Sequence, residues 1–552
     1  MRKRRNLFVL LLAIFSISFA ATSNADVLYS KYQWPPMWNG YGNIQSQPLT
    51  HYAFDIVDTF NSGSTDYSAI RVMTPGPQPF CSSLSDAACR DDAQKYGWWI
   101  IRLLPPCTSA NQATECIEGL SLTDKSGKKT NYVNSYIYKR NTFPAEEANG
   151  LGEGSGTSVW VDSSNPSSDT GFAVTVSGDA GGPYGAKSYP LHNFAATVVP
   201  YRTMQGDFDV MESRLVNRRL EFQTKSGSIS PTSCIWISTG KCGAYSDFPS
   251  DAKLTLTLHL PAQMASWVLG RLNQPTISLT SISKNYDRVT VSAAPVDVPM
   301  VGGKVSLAEA TDAVKNEWKN NNCPECEHGI WAVNARSSGE NAFTIMNAFR
   351  PFMNDKSMVT IPAWSISSLI ERSPSLSKCE QPGSISGLVT TNASAYQGAP
   401  PSFDGSTLNY KVGAMHYLDD GSIFKGRYEL LMPTKTAQCL YNYSSAPISA
   451  TVSVTSESGE NNVATTVLSE SDGWLHLAAD GFTFSNPTIK VKFAKPASAS
   501  PTPTATSTAK PAPSAQGLKV QWCAKGNLKK KVTALKPACP AGYKKIADPT
   551  AR

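Results

Sequence analysis

Leu254-Thr255-Leu256-Thr257-Leu258-His259-Leu260 decides the fold class. Apolar and polar residues alternate at a period of two, so the four leucines share one face of a strand and Thr255, Thr257 and His259 share the other. The same signature recurs downstream. Residues 276–283 and 288–294 read as two more strands around the turn-forming Lys284-Asn285-Tyr286-Asp287. Residues 448–454, 463–468, 474–478 and 488–493 read as four others, with turn chemistry in the Gly/Asn-rich connector at 457–462. Short strands at this spacing predict a mainly-β chain with a sandwich or small barrel near its C-terminal end.

Helical patterning is confined to a smaller α+β portion. Ser306-Leu307-Ala308-Glu309 has the form of a capping box, and Leu307, Ala310, Val314 and Trp318 follow at helical spacing. Ala342, Phe343, Met346, Phe349 and Met353 make a second apolar stripe, which Pro351 is expected to kink or end. Both stripes read as core.

These patterns divide the chain into successive regions. Residues 1–25 have the form of a secretion signal: Arg2, Lys3, Arg4 and Arg5, an apolar run from Leu7 to about Ala21, then Ser23-Asn24-Ala25 as a cleavage site. Residues 26–250 form a Gly/Pro/Ser-rich, cysteine-containing, mainly-β region. An α+β middle region spans 251–380, and 381–494 has the size of an immunoglobulin-like β-sandwich. A Pro/Thr/Ala-rich linker at 495–516 can reach roughly 70 Å if extended. It leads into a basic two-cysteine tail at 517–552. No second apolar stretch has membrane-spanning length, so no integral membrane segment is expected after signal cleavage.

Charge is divided along the same lines. The chain has 50 basic and 43 acidic residues and a net charge of +7. The tail holds nine basic residues against Asp548, whereas residues 26–494 hold 35 basic and 42 acidic residues. The body therefore lacks the positive footprint that phosphate binding requires, which argues against nucleic acid as a partner. Lys525, Lys529, Lys530, Lys531, Lys536, Lys544 and Lys545 instead suggest that the tail attracts anionic wall polymers, with screening over about 8 Å at physiological ionic strength.

Twelve cysteines in an exported chain read as a disulfide framework. The simplest pairing joins neighbours: Cys81 with Cys89, Cys107 with Cys116, Cys234 with Cys242, Cys323 with Cys326 and Cys523 with Cys539. It leaves Cys379 with Cys439, a long-range bridge worth about 4 kcal/mol in the chain-entropy account. The order helix-then-CxxC reverses the redox-active arrangement, so Cys323-Pro324-Glu325-Cys326 reads as structural. With only His328 nearby, that segment has too few ligands for zinc.

Other chemistry-bearing patterns are sparse, and neither a catalytic motif nor a cofactor motif emerges. Gly178-Asp179-Ala180-Gly181-Gly182-Pro183 resembles the nucleophile segment of trypsin-like proteases, but Ala180 has no hydroxyl; it reads as a glycine-rich turn. Asp419-Asp420-Gly421 suits a hairpin turn. The six histidines form no pair at metal-ligand spacing, and His259 and His476 sit at polar strand positions, where each is expected to be satisfied or solvent-facing. Trp34, Trp38 and Tyr41, in a dense aromatic run, are candidates for stacking on glycan rings, although packing onto the first domain is the plainer reading.

Several segments resemble a family of exported actinobacterial proteins of unassigned function. They are Cys116-Ile117-Glu118-Gly119-Leu120, Ser266-Trp267-Val268-Leu269-Gly270-Arg271-Leu272, the run beginning Ile385-Ser386-Gly387, His416-Tyr417-Leu418-Asp419-Asp420-Gly421 and the run beginning Ala446-Pro447-Ile448. The tail, from Cys523-Ala524-Lys525 to Cys539-Pro540-Ala541-Gly542-Tyr543, resembles a short basic module that ends such proteins. The resemblance implies export and a bacterial envelope setting and carries over no catalytic residue. The expectation is a non-catalytic, envelope-associated protein with a binding, adhesive or structural role, held by its tail. The alternatives are an exported glycan-active enzyme using carboxylates of 26–250, or a wall-glycan-binding module using Trp34 and Trp38.

Overall fold

In a computed structural model, the described residues are 51–58, 67–76, 78–109, 114–224, 234–321, 332–369, 373–442, 449–455, 461–463, 465–484, 488–494, 519–525, 528–534 and 544–546. The chain is mainly β and forms two compact units, one reaching Pro496 and the other starting at Ala497.

The leucine strand, Lys253–Pro261, is central to the first unit. It is antiparallel to Tyr286–Ala294 on one side and to Cys116–Thr123 on the other. Leu254, Leu256, Leu258 and Leu260 are buried, while Thr255 and Thr257 are half-buried on the opposite face. His259 breaks the alternation, because it too is buried, at 2 % exposure. From Cys116–Thr123 the antiparallel order continues through Lys129–Tyr138, Thr157–Asp162 and Thr170–Gly182 to Ala195–Gln205. The expected turn at 178–183 is corrected by this pairing. Residues 177–182 lie in strand and pair with Trp98–Leu103, since small residues allow the close approach of the Trp98 carbonyl to Gly181. Ala180 is buried there, opposite Ile100.

Pairing runs across the boundaries expected near 250 and 380. Ser266–Arg271 is antiparallel to Ser365–Ser368 and parallel to Ile385–Thr391, which continues to Gly426–Pro433, Trp474–Phe482 and Thr465–Ser471. A second sheet, containing Leu408–Gly413, Thr488–Ala494 and Ser449–Thr455, faces these strands. Between them, Tyr428, Leu430, Met432, Leu475 and Leu477 meet Leu408, Tyr410, Val412, Ile489 and Val491 in one apolar core. Trp267 and Leu269 enter that core from the middle region, so the C-terminal β layers share their interior with the rest of the body.

A four-stranded sheet, Ala332–Arg336, His51–Val57, Val296–Ser306 and Val359–Ala363, carries helices Asp312–Asn321 and Glu340–Phe349. Phe54, Ile56, Val314, Phe343, Ile345, Met346 and Phe349 fill the interface. The capping-box contacts exist, with Ser306 Oγ 2.6 Å from Glu309 Oε2. They close a turn, however, and the helix starts only at Asp312, where the Val314 N–H donates to Thr311 Oγ1 at 3.4 Å. Leu307 consequently lies outside the helix and is exposed.

In the second unit, Lys519–Lys525 is the central strand between Leu528–Ala534 and Lys544–Ile546. Among the described residues, no helix is long and apolar enough to cross a membrane.

Candidate functional site

The densest group of chemistry-bearing side chains surrounds the start of strand Cys116–Thr123. An irregularity in its pairing with Lys253–Pro261 leaves Glu118 without an opposite residue: Thr257 faces Gly119 and Leu258 faces Ile117. Such a bulge shifts register by one residue. It lets Ile117 meet Leu258 in the core, where the unshifted register would put Glu118, and brings His259 opposite Cys116. His259 Nε2 then lies 2.7 Å from Glu118 Oε2. On its other side, Nδ1 lies 3.5 Å from Cys116 Sγ and 3.9 Å from Cys107 Sγ.

Cys107 and Cys116 are joined as a disulfide. Cys116 is fully buried and Cys107 only half-buried. Two backbone bonds pin the segment carrying Cys107 to the strand: Cys107 N–H donates to the Ile117 carbonyl at 2.8 Å, and Ile117 N–H donates to the Pro105 carbonyl at 2.9 Å. Arg288, opposite His259 in the neighbouring strand, donates from Nε to Glu118 Oε2 at 2.5 Å. Burial pushes the Glu118 carboxyl upward, but the hydrogen bonds from Arg288 and His259 outweigh it and hold the group below the usual range. The sulfurs and Nδ1 lie within 4.8 Å of one another. In the disulfide they are not thiolates, so the arrangement is a bridge with an adjacent imidazole, not a metal site.

Four further ionic groups are built into the body. Glu429, almost fully buried, lies 2.6 Å from His476 Nε2, and its Oε1 accepts the Gln274 N–H at 2.9 Å. His476 is therefore satisfied and partly exposed. Asp355 accepts from the His416 backbone N–H at 3.0 Å, lies 2.7 Å from His416 Nδ1 and accepts from Arg350 at 3.0 Å. Deeper still, Arg102 lies 3.3 Å from Glu115. Arg271 pairs with Asp58, donates to the Thr391 and Ala393 carbonyls at 2.8 Å, and stacks over Tyr396.

The cysteine pairing is as the spacing suggested at four bridges: Cys81–Cys89, Cys107–Cys116, Cys234–Cys242 and Cys379–Cys439. Cys323, Cys326 and Cys539 lie outside the described residues, as do Trp34, Trp38, Tyr41 and Lys536. The turn carboxylates act locally: Asp420 Oδ1 accepts the Ser422 N–H, and Asp162 Oδ1 accepts the Ser164 N–H, both at 2.8 Å. Tail lysines fall on strands. Cys523 faces Lys530 on one side and Lys545 on the other, and Ala524 likewise faces Lys529 and Lys544. Lys525 ends the central strand opposite Leu528, and Lys531 faces Trp522.

Sequence reading missed the Glu118–His259–Arg288 group because its members come from three strands. The only local signal was a histidine at a polar position of the leucine strand. A small apolar groove, lined by Val198, Pro200, Tyr245, Phe248, Pro362 and Trp364, lies elsewhere in the body. Comparison with protein families, with characterised proteins and with solved structures finds no match.

Proposed function

We propose that this is an exported, envelope-associated protein whose β-rich body binds or coats and whose basic tail holds it to anionic surface polymers. Export is supported by the four bridges, a chemistry of oxidising compartments. The attachment reading rests on one observation, the register of the tail sheet. Lys529, Lys530, Lys531, Lys544 and Lys545 occupy a band three residues long on the two strands flanking Lys519–Lys525. With strands about 4.8 Å apart, their backbones lie within roughly 10 Å of one another across the sheet. Lys544 and Lys545 are exposed. Cations at this density repel across about a Debye length, and a polyanion lying on the sheet relieves the repulsion.

The test is fractionation of producing cells, comparing the full chain with a version ending at Ala494. The full chain should stay with the envelope at low salt and be released as salt rises, and the shortened chain should appear in the medium at all salt concentrations. Equal retention of the two forms removes the tail from the explanation. A second comparison, Lys529, Lys530 and Lys531 all changed to Gln in the full chain, should lower the salt needed for release.

A further inference from the structure

The structure assigns thiol–disulfide exchange to the Cys107–Cys116 bridge, with Cys107 as the attacked sulfur and His259 assisting departure of Cys116. Three observations carry this. The two cysteines differ in access, Cys107 being half-buried and Cys116 fully buried, so an incoming thiol meets Cys107 first. The buried sulfur has an imidazole nitrogen 3.5 Å away, and the opposite ring nitrogen lies 2.7 Å from Glu118 Oε2, which Arg288 anchors. Finally, two backbone bonds beside the bridge, independent of the sulfurs, tie the segment carrying Cys107 to the strand.

Exchange rates depend on which sulfur is reached and on how stable the departing thiolate is. A cation beside a cysteine stabilises its thiolate. In its protonated form His259 donates from Nε2 to Glu118 and presents Nδ1–H to Cys116 Sγ. Glu118 offsets the imidazolium charge and Arg288 fixes the carboxylate. At this bridge a histidine nitrogen lies beside both sulfurs, 3.5 Å from Cys116 Sγ and 3.9 Å from Cys107 Sγ.

The partner class is a dithiol. One of its thiolates attacks Cys107 Sγ. The Cys107–Cys116 bond breaks, its electron pair passes to Cys116 Sγ, which takes the proton of His259 Nδ1–H that water then restores, and a mixed disulfide forms on Cys107. The second thiol of the partner, as thiolate, attacks the partner sulfur of that mixed disulfide. This closes the partner's own disulfide and releases Cys107 as a thiolate that takes a proton from water. The partner loses two electrons and two protons, and the bridge gains them. The reaction is stoichiometric, one bridge per dithiol.

The experiment exposes the folded full chain to limiting dithiothreitol, blocks free thiols with iodoacetamide at intervals, and maps the labelled cysteines by peptide mass spectrometry. Label should appear first on Cys107 and Cys116, roughly tenfold or more ahead of Cys234, Cys242, Cys379 and Cys439. His259→Gln should slow that opening by a similar factor and leave the other bridges unchanged. Earlier opening of Cys81–Cys89, whose Cys89 Sγ has Arg218 Nη2 at 3.7 Å, overturns the assignment. So does an unaltered rate in the His259→Gln chain. If that variant does not fold, glutathione with the unaltered chain decides, because the mixed disulfide must form on Cys107; formation on Cys116 overturns the assignment.

Discussion

Asp55 shows how one buried side chain makes the stability of the body depend on pH. It sits on His51–Val57, 1 % exposed, with Gly302 opposite it in the neighbouring strand. Burial raises its carboxyl to about 7, from an ordinary value of 3.8, against a smaller opposing backbone hydrogen bond. The unfolded chain therefore loses its proton near pH 4, while the folded chain keeps it until about pH 7. Between those values the folded state binds more protons, so stability falls as pH rises, by up to about 4 kcal/mol in total. Urea unfolding at pH 5 and pH 8 should show this loss, and Asp55→Asn should flatten it. A wild-type profile as flat as the variant's contradicts the account.

Arg271 and Asp58 give a second test at this scale: Asp58→Ala leaves a buried guanidinium without its carboxylate. The cost should be about 3–5 kcal/mol in denaturant unfolding, and a joint change to Arg271→Met and Asp58→Leu should recover much of it. Neither group was legible in the sequence, since Asp58 and Arg271 are far apart along the chain and neither interrupts a periodic pattern.

At the scale of elements, period-two alternation located the strands because burial on one face of a pleated strand imposes it locally. The leucine strand and the last four strands of the body were found this way. Their partners were not, because pairing is set by contacts distant in sequence. The parallel pairing of Ser266–Arg271 with Ile385–Thr391 is such a case, and Gly387 makes it possible. A Cβ on Gly387 would lie 2.4 Å from the Trp267 ring. Trp267 is 3 % exposed and packed in the apolar core. Gly387→Ala should cost about 1–3 kcal/mol, read as a lower urea midpoint with unchanged slope. An unchanged midpoint shows that the indole moves freely. The late start of helix Asp312–Asn321 has a related cause: Ser306 belongs to the end of strand Val296–Ser306, so its capping contacts are used in the strand-to-helix turn.

For the whole molecule, charge was readable from composition alone, because it needs no knowledge of pairing: an acidic body and a basic tail follow from counting residues. The structure adds that the two parts are separate compact units, dividing between Pro496 and Ala497. The body contains the four bridges and the large apolar clusters, and the tail's three strands pair among themselves. Stability of the body should then be independent of the tail. A chain ending at Pro496 is expected to unfold at the same denaturant midpoint and with the same slope as the body transition of the full chain. On an immobilised polyphosphate column the shortened chain should pass unretained, whereas the full chain should elute only as salt rises, since multivalent cation–polyanion contact weakens steeply with ionic strength. A lowered midpoint on truncation makes the tail part of the body's folding unit. Retention of the shortened chain makes the body the polyanion-binding surface despite its net negative charge.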